Sequence, residues 1–100
     1  MSSFSYSILA EDDLYELLEY IALDNVEAAV RVEEAIETTA QMLADNPDIG
    51  HAVKSRFTHL LAFTVQPYSD YILFFQAEDD GIYIQRILHG ARDLSSLLNT

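Results

Sequence analysis

The chain has 100 residues, half of them hydrophobic, with three glycines and no cysteine. That composition excludes a disordered or fibrous chain, a disulfide scaffold and thiolate chemistry, and the length corresponds to one domain, 1–100, with a small core. Seventeen acidic residues against five basic ones give a formal net charge of −12. Phosphate affinity rests on Lys and Arg, so no direct nucleic-acid binding is expected. No apolar run approaches the roughly 18 residues needed to span a bilayer, and "MSSFSYSILAEDD" has neither the basic start nor the apolar stretch of a signal peptide. The expectation is a cytoplasmic chain without membrane association.

"FSYSI" (Phe4 to Ile8) alternates apolar and polar residues, the period of a half-buried strand. Glu11, Asp12 and Asp13 then suit the positive end of a helix. Leu14, Leu17, Leu18 and Ile21 form its apolar stripe, with Glu16 and Glu19 pointing away. Asn25 suits the N-cap of a second helix, whose apolar positions run from Val26 to about Ala44, where "DNPDIG" stops it. So short a break predicts an antiparallel helical hairpin. Beyond Gly50 the period changes. "HLLAFTV" (His59 to Val65), "YILFFQA" (Tyr71 to Ala77) and "IYIQRILH" (Ile82 to His89) read as three strands of an antiparallel meander. "EDDG" (Glu78 to Gly81) is the turn of its second hairpin. Gly90 ends the meander at a position needing either positive φ or close approach, and "ARDLSSLLN" is a possible short C-terminal helix. The order β-α-α-β-β-β predicts a two-layer α+β fold, a helical hairpin on a mainly antiparallel sheet.

Charge is unevenly spread. Residues 1–50 carry twelve acids and one base, Arg31, while residues 51–100 carry five acids and four bases. Two of those bases flank a histidine in "RILHGARDL", and Arg86, His89 and Arg92 are therefore candidate binding residues, with Arg56 as a further basic candidate. Leu94, Leu97 and Leu98 follow at helical spacing and would suit contact with an amphipathic partner helix. His51 and His59 lack the cysteine or carboxylate companions of a metal site. "EDDG" lacks the 12-residue pattern of a calcium loop, and no phosphate-cradling loop or Ser-His-Asp arrangement is present. No metal or other cofactor is expected.

The chain resembles the RelE/ParE superfamily of small toxins, ParE-like plasmid stabilisation proteins in particular. The resemblance rests on Tyr20-Ile21-Ala22, Asp24-Asn25 and Ala28 to Arg31 in the hairpin. "LADNPDIG", "YILFF" and "IYIQRILHGARDL" extend it, and Leu88 to Asp93 is the most specific piece. It implies the toxin of a type II toxin–antitoxin pair, held by a cognate antitoxin that is often a ParD-like ribbon-helix-helix protein. The best-known ParE-like target is DNA gyrase, poisoned by binding and without hydrolysis. RelE-like relatives instead cut messenger RNA on the ribosome, which is the alternative activity. Two basic positions common in the family are Leu61 and Gln76 here, which motivates a third reading: a detoxified relative that only binds antitoxin. The acidic helical half would attract a basic antitoxin arm by complementary charge.

Overall fold

The computed structural model describes residues 2–53 and 59–93, and its first strand ends sooner than the alternation predicts. Strand β1 is Ser3–Tyr6 and helix α1 is Ile8–Asp24, so Ile8 belongs to the helix. The reason is Ser7, whose hydroxyl accepts the amide of Ala10 at 3.0 Å and caps the helix one turn before the acidic residues. Asn25 caps α2 (Val26–Asp45) as expected, its Oδ1 accepting the Ala28 amide at 3.1 Å. Pro47–Ile49 forms a 3-10 turn that leads into a two-residue strand β2, His51–Ala52, which has no signature in the sequence. Strands β3 (Leu61–Thr64), β4 (Tyr71–Glu78) and β5 (Gly81–His89) are the expected meander, and residues 90–93 are helical.

The sheet order is β1-β5-β4-β3-β2. All pairings are antiparallel except that of β1 with β5, which sets Ser3 beside Gly81 and Tyr6 beside Ile84. Gly81 shows what this pairing demands. Its φ is +147°, and a Cβ there would lie 1.7 Å from the Ser3 carbonyl oxygen. The glycine in the "EDDG" turn is thus required by the approach of β1 as well as by the hairpin. At Gly90 the approach is close and φ is not positive. Its amide donates to the Asp70 carbonyl at 2.7 Å, and a Cβ would meet Ile72 Cδ1 at 3.2 Å.

The helical hairpin covers one face of the sheet. Ala10 and Leu17 of α1 and Val32, Ile36, Ala40 and Leu43 of α2 close on Leu73 and Phe75 of β4 and Ile82, Ile84 and Ile87 of β5. Each large side chain fully buried there stabilises the fold by roughly 1.5–3 kcal/mol. The opposite face carries a second, smaller cluster, Leu60, Phe74 and Leu88, with Val53, Ala62 and Ile72 packed against it. A link from α2 to the sheet is polar: the buried Thr39 hydroxyl accepts the Gln66 amide at 3.1 Å.

Tyr6 is the exception in this packing. Its hydroxyl is buried without a hydrogen-bond partner among the described residues. Burial, with the charges of Glu37 and Glu33, pushes its pKa up to about 12. A folded-state pKa above the unfolded value means stability is intact below about pH 10 and is lost as pH rises towards 12. Tyr6→Phe is expected to change stability at neutral pH by no more than about 1 kcal/mol, since it removes an unpaired buried hydroxyl. It should also flatten the loss of stability between pH 10 and 12, a difference that urea melts at neutral pH and pH 11 would measure.

Candidate functional site

Strand β5 outruns its neighbour. β1 stops at Tyr6 opposite Ile84, while β5 continues to His89. At the same point its register against β4 slips: Phe75 faces Ile84 but Phe74 faces Arg86, leaving Gln85 as an extra residue. From Gln85 onward β5 therefore has a free edge, whose backbone groups need partners. Side chains supply them. The Ser7 hydroxyl donates to the Gln85 carbonyl at 2.7 Å. Asp13 Oδ2 accepts the Ile87 amide at 3.0 Å, and Asp93 Oδ2 accepts the His89 amide at 3.0 Å.

Asp13 does more than cap the edge. Arg86 Nε donates to Asp13 Oδ2 at 2.8 Å and its terminal nitrogen to Asp13 Oδ1 at 3.0 Å, a bidentate pair joining α1 to β5. That hydrogen bond is the main cause holding the Arg86 guanidinium above its ordinary pKa. Arg92 and Asp93 form a second, more open pair, with Nε donating to Oδ1 at 3.2 Å. The pair lifts the pKa of Arg92 and, as its largest effect on the partner, lowers that of Asp93, which the His89 amide lowers further. His89 Nδ1 accepts the Arg92 amide at 3.2 Å, which places the ring proton on Nε2, and Tyr71 meets the imidazole edge-on at 5.5 Å.

These groups line a cleft of about 790 Å³ between α1 and the free edge of β5. Asp13, Glu16, Leu17 and Tyr20 form the helical wall, Tyr71 and Ile87 to His89 the sheet wall, and Arg92 and Asp93 the end. Of the residues singled out in the sequence, Arg86, His89 and Arg92 come together here. Arg56, Leu94, Leu97 and Leu98 lie outside the described residues. Asp13, Glu16, Tyr20 and Tyr71 were not among the candidates. Asp13 had left a signal: it stands three residues after Ala10 and four before Leu17, on the stripe that the helix buries. An acid in that position needs a partner, and the partner is 73 residues away.

The family model of the ParE toxin of the type II toxin–antitoxin system parDE matches residues 4–94. The chain belongs to this family. Among curated protein sequences none matches. The fold is similar to that of a chain from the chromosomal ParDE system of P. aeruginosa, with TM-score 0.70 and 21% identity over 89% of this chain and 96% of that one. It is also similar to a chain of the E. coli DinJ–YafQ complex, with TM-score 0.62 and 18% identity over 91% and 96% of the two chains. The solution structure of HP0894 from Helicobacter pylori is a third likeness, at TM-score 0.56 and 20% identity over 87% and 92%. In this ParE-family toxin the described elements run β1-α1-α2-β2-β3-β4-β5, with β2 at the far edge of the sheet. Its two long helices carry eleven acids and one base, Arg31, and no helix among the described residues is long and apolar enough to cross a membrane.

Asp13→Ala would free the Ile87 amide and leave the half-buried Arg86 without its carboxylate. The expected cost is about 1–3 kcal/mol, because charge-assisted bonds are lost and their donors are left under-solvated. Asp13→Asn, which keeps one acceptor oxygen, should lose less. Chemical denaturation of both variants checks the order; equal stability of Asp13→Ala and the parent would show that the latch contributes nothing.

Proposed function

We propose that this ParE-family toxin acts by gripping a protein target, DNA gyrase, through the cleft between α1 and β5, and that a cognate ParD-like antitoxin neutralises it. The observation carrying this reading is the electrostatic state of the cleft. Both of its arginines are held by carboxylates, and with Glu16 the lining sets three acids against two guanidiniums. A phosphate chain entering it meets net negative charge. Cleavage of RNA also needs a base for the 2′-hydroxyl and a free cation for the phosphorane. Here His89 Nδ1 is occupied by the Arg92 amide, and both guanidiniums are engaged. The cleft suits a protein surface better: Tyr20 and Tyr71 supply aromatic contact area, while Glu16, His89 and the exposed side of Arg92 supply polar contacts.

The reading is tested by tightly controlled induction of the chain alone, followed by assays on purified components. Growth arrest with inhibited gyrase supercoiling and intact messenger RNA is expected. Arrest with RNA cut in a translation extract would establish the ribonuclease alternative, and no arrest by soluble, folded protein would favour the detoxified relative. Arg92 is 60% exposed, so Arg92→Ala should lower gyrase inhibition at least several-fold while shifting thermal stability by no more than about 0.5–1 kcal/mol. A large stability loss with full inhibition by the folded fraction would make Arg92 a structural residue.

A further inference from the structure

The cleft between α1 and β5 differs from one end to the other in what it leaves unpaired. Asp13 accepts from Arg86 Nε, from the Arg86 terminal nitrogen and from the Ile87 amide. Asp93 accepts from the His89 amide, from Arg92 Nε and from the Arg92 terminal nitrogen. Both carboxylates are thus occupied by the chain's own donors. The donors are not exhausted in return. A guanidinium carries five N–H groups; Asp93 takes two of those on Arg92, whose side chain is 60% exposed. His89 accepts the Arg92 amide at Nδ1, so its ring proton is on Nε2, where the described residues offer it no acceptor.

Neighbouring groups sort the two ends by charge. After Asp93, the side chains acting on the Arg92 guanidinium are the phenols of Tyr71 and Tyr20. Arg86 instead lies near Asp13, Asp93 and Glu16. Glu16, which has no ion-pair partner among the described residues, stands one helical turn before Tyr20, about 6 Å along the axis. The unpaired acceptor therefore belongs to the Arg86 end, and the unpaired donors belong to the end formed by His89, Arg92 and the two tyrosines.

That donor end selects its occupant. An added strand is a poor fit, because Asp13 and Asp93 already hold the Ile87 and His89 amides. A phosphomonoester brings nearly two negative charges beside Asp93 and towards Glu16. A carboxylate brings one, and its two oxygens match the edge of a guanidinium. The geometry points to His89 Nε2 and the free edge of Arg92 as a cradle for one carboxylate side chain, a glutamate or aspartate on the surface of the protein target, with its methylene stem flanked by Tyr20 and Tyr71. This deepens the target-gripping reading and rests on it for the identity of the partner. It also reconciles a cleft that repels a polyanion with one that holds a single acid: the repulsion is summed over the whole lining, whereas the cradle is local.

The test titrates the full chain, labelled with ¹⁵N, with two isosteric probes, N-acetyl-glutamate methylamide and N-acetyl-glutamine methylamide, and with inorganic phosphate. The glutamate probe is expected to bind with a dissociation constant on the order of 1–10 mM and to shift His89, the Arg92 Nε–H and the amides of residues 89–93. The glutamine probe and phosphate should each bind at least about fivefold more weakly. Arg92→Gln should weaken the glutamate probe by a similar factor with an unchanged thermal melt, and so should His89→Gln, which keeps an acceptor for the Arg92 amide. The inference is overturned by equal binding of the two isosteres, by tighter binding of phosphate, by shifts confined to residues away from the cleft, or by full probe affinity in both folded variants. The gyrase assay separates the two readings. A chain that poisons gyrase without binding the glutamate probe rejects the cradle alone. A chain that binds the probe at His89 and Arg92 while gyrase stays fully active rejects the gyrase reading alone.

Discussion

The bulge in β5 and the two side chains that answer it hold the rest of this protein in place. Where β1 ends, the free edge of β5 exposes the Gln85 carbonyl and the Ile87 amide. Ser7 and Asp13, from the first turns of α1, satisfy both. Ser7 serves at once as the helix cap and as a donor to the sheet, so the start of α1 is tied to one point on β5. Arg86 completes the latch from the strand side. The cleft exists because the helix is pinned at its N-terminal end while the strand edge beyond Ile87 has no neighbouring strand. An exposed strand edge invites pairing with other chains. Here Asp13 and Asp93 occupy two of its amides, which discourages an added strand and leaves side chains as the contact surface.

Charge divides the molecule along its layers. The helical layer is almost purely acidic, whereas Arg86 and Arg92 are carried by β5 and the short helical turn after it. Within the cleft each arginine is matched to a carboxylate, so its positive charge is largely compensated locally and the long-range field stays negative. Such a field repels polyanions and draws in basic protein segments. The separation gives the ParE-family chain two surfaces of different character, an aromatic, locally balanced cleft and an acidic, aliphatic helix face, meeting at Tyr20.

Much of the architecture was legible in the chain. The apolar period changes from helical to strand-like after Gly50, Asn25 stands where a cap is needed, and "EDDG" has hairpin chemistry. These are local signals, and local hydrogen bonding decides them. The boundary at Ser7 was misread because alternation continues through Ile8, and only the capping bond to Ala10 ends the strand. The short β2 could not be read, since two residues carry no period and its pairing depends on β3. In the site, Arg86, His89 and Arg92 stood out because basic residues are scarce in an acidic chain. Asp13 was masked by two acidic neighbours that fit the helix-dipole explanation equally well.

The sequence by itself determined the two long helices, four of the five strands, their order, the family and the sign of the surface, because periodicity, capping residues and charge are properties of neighbours along the chain. Tertiary structure decided which edge β1 joins, why Gly81 must be glycine, and which of the clustered acids meets Arg86. Those outcomes depend on contacts across about 75 residues, backbone against backbone where Ser3 approaches Gly81 and side chain against backbone where Asp13 reaches Ile87. No local pattern records such distances, because they are set by how the helical layer settles on the twisted sheet.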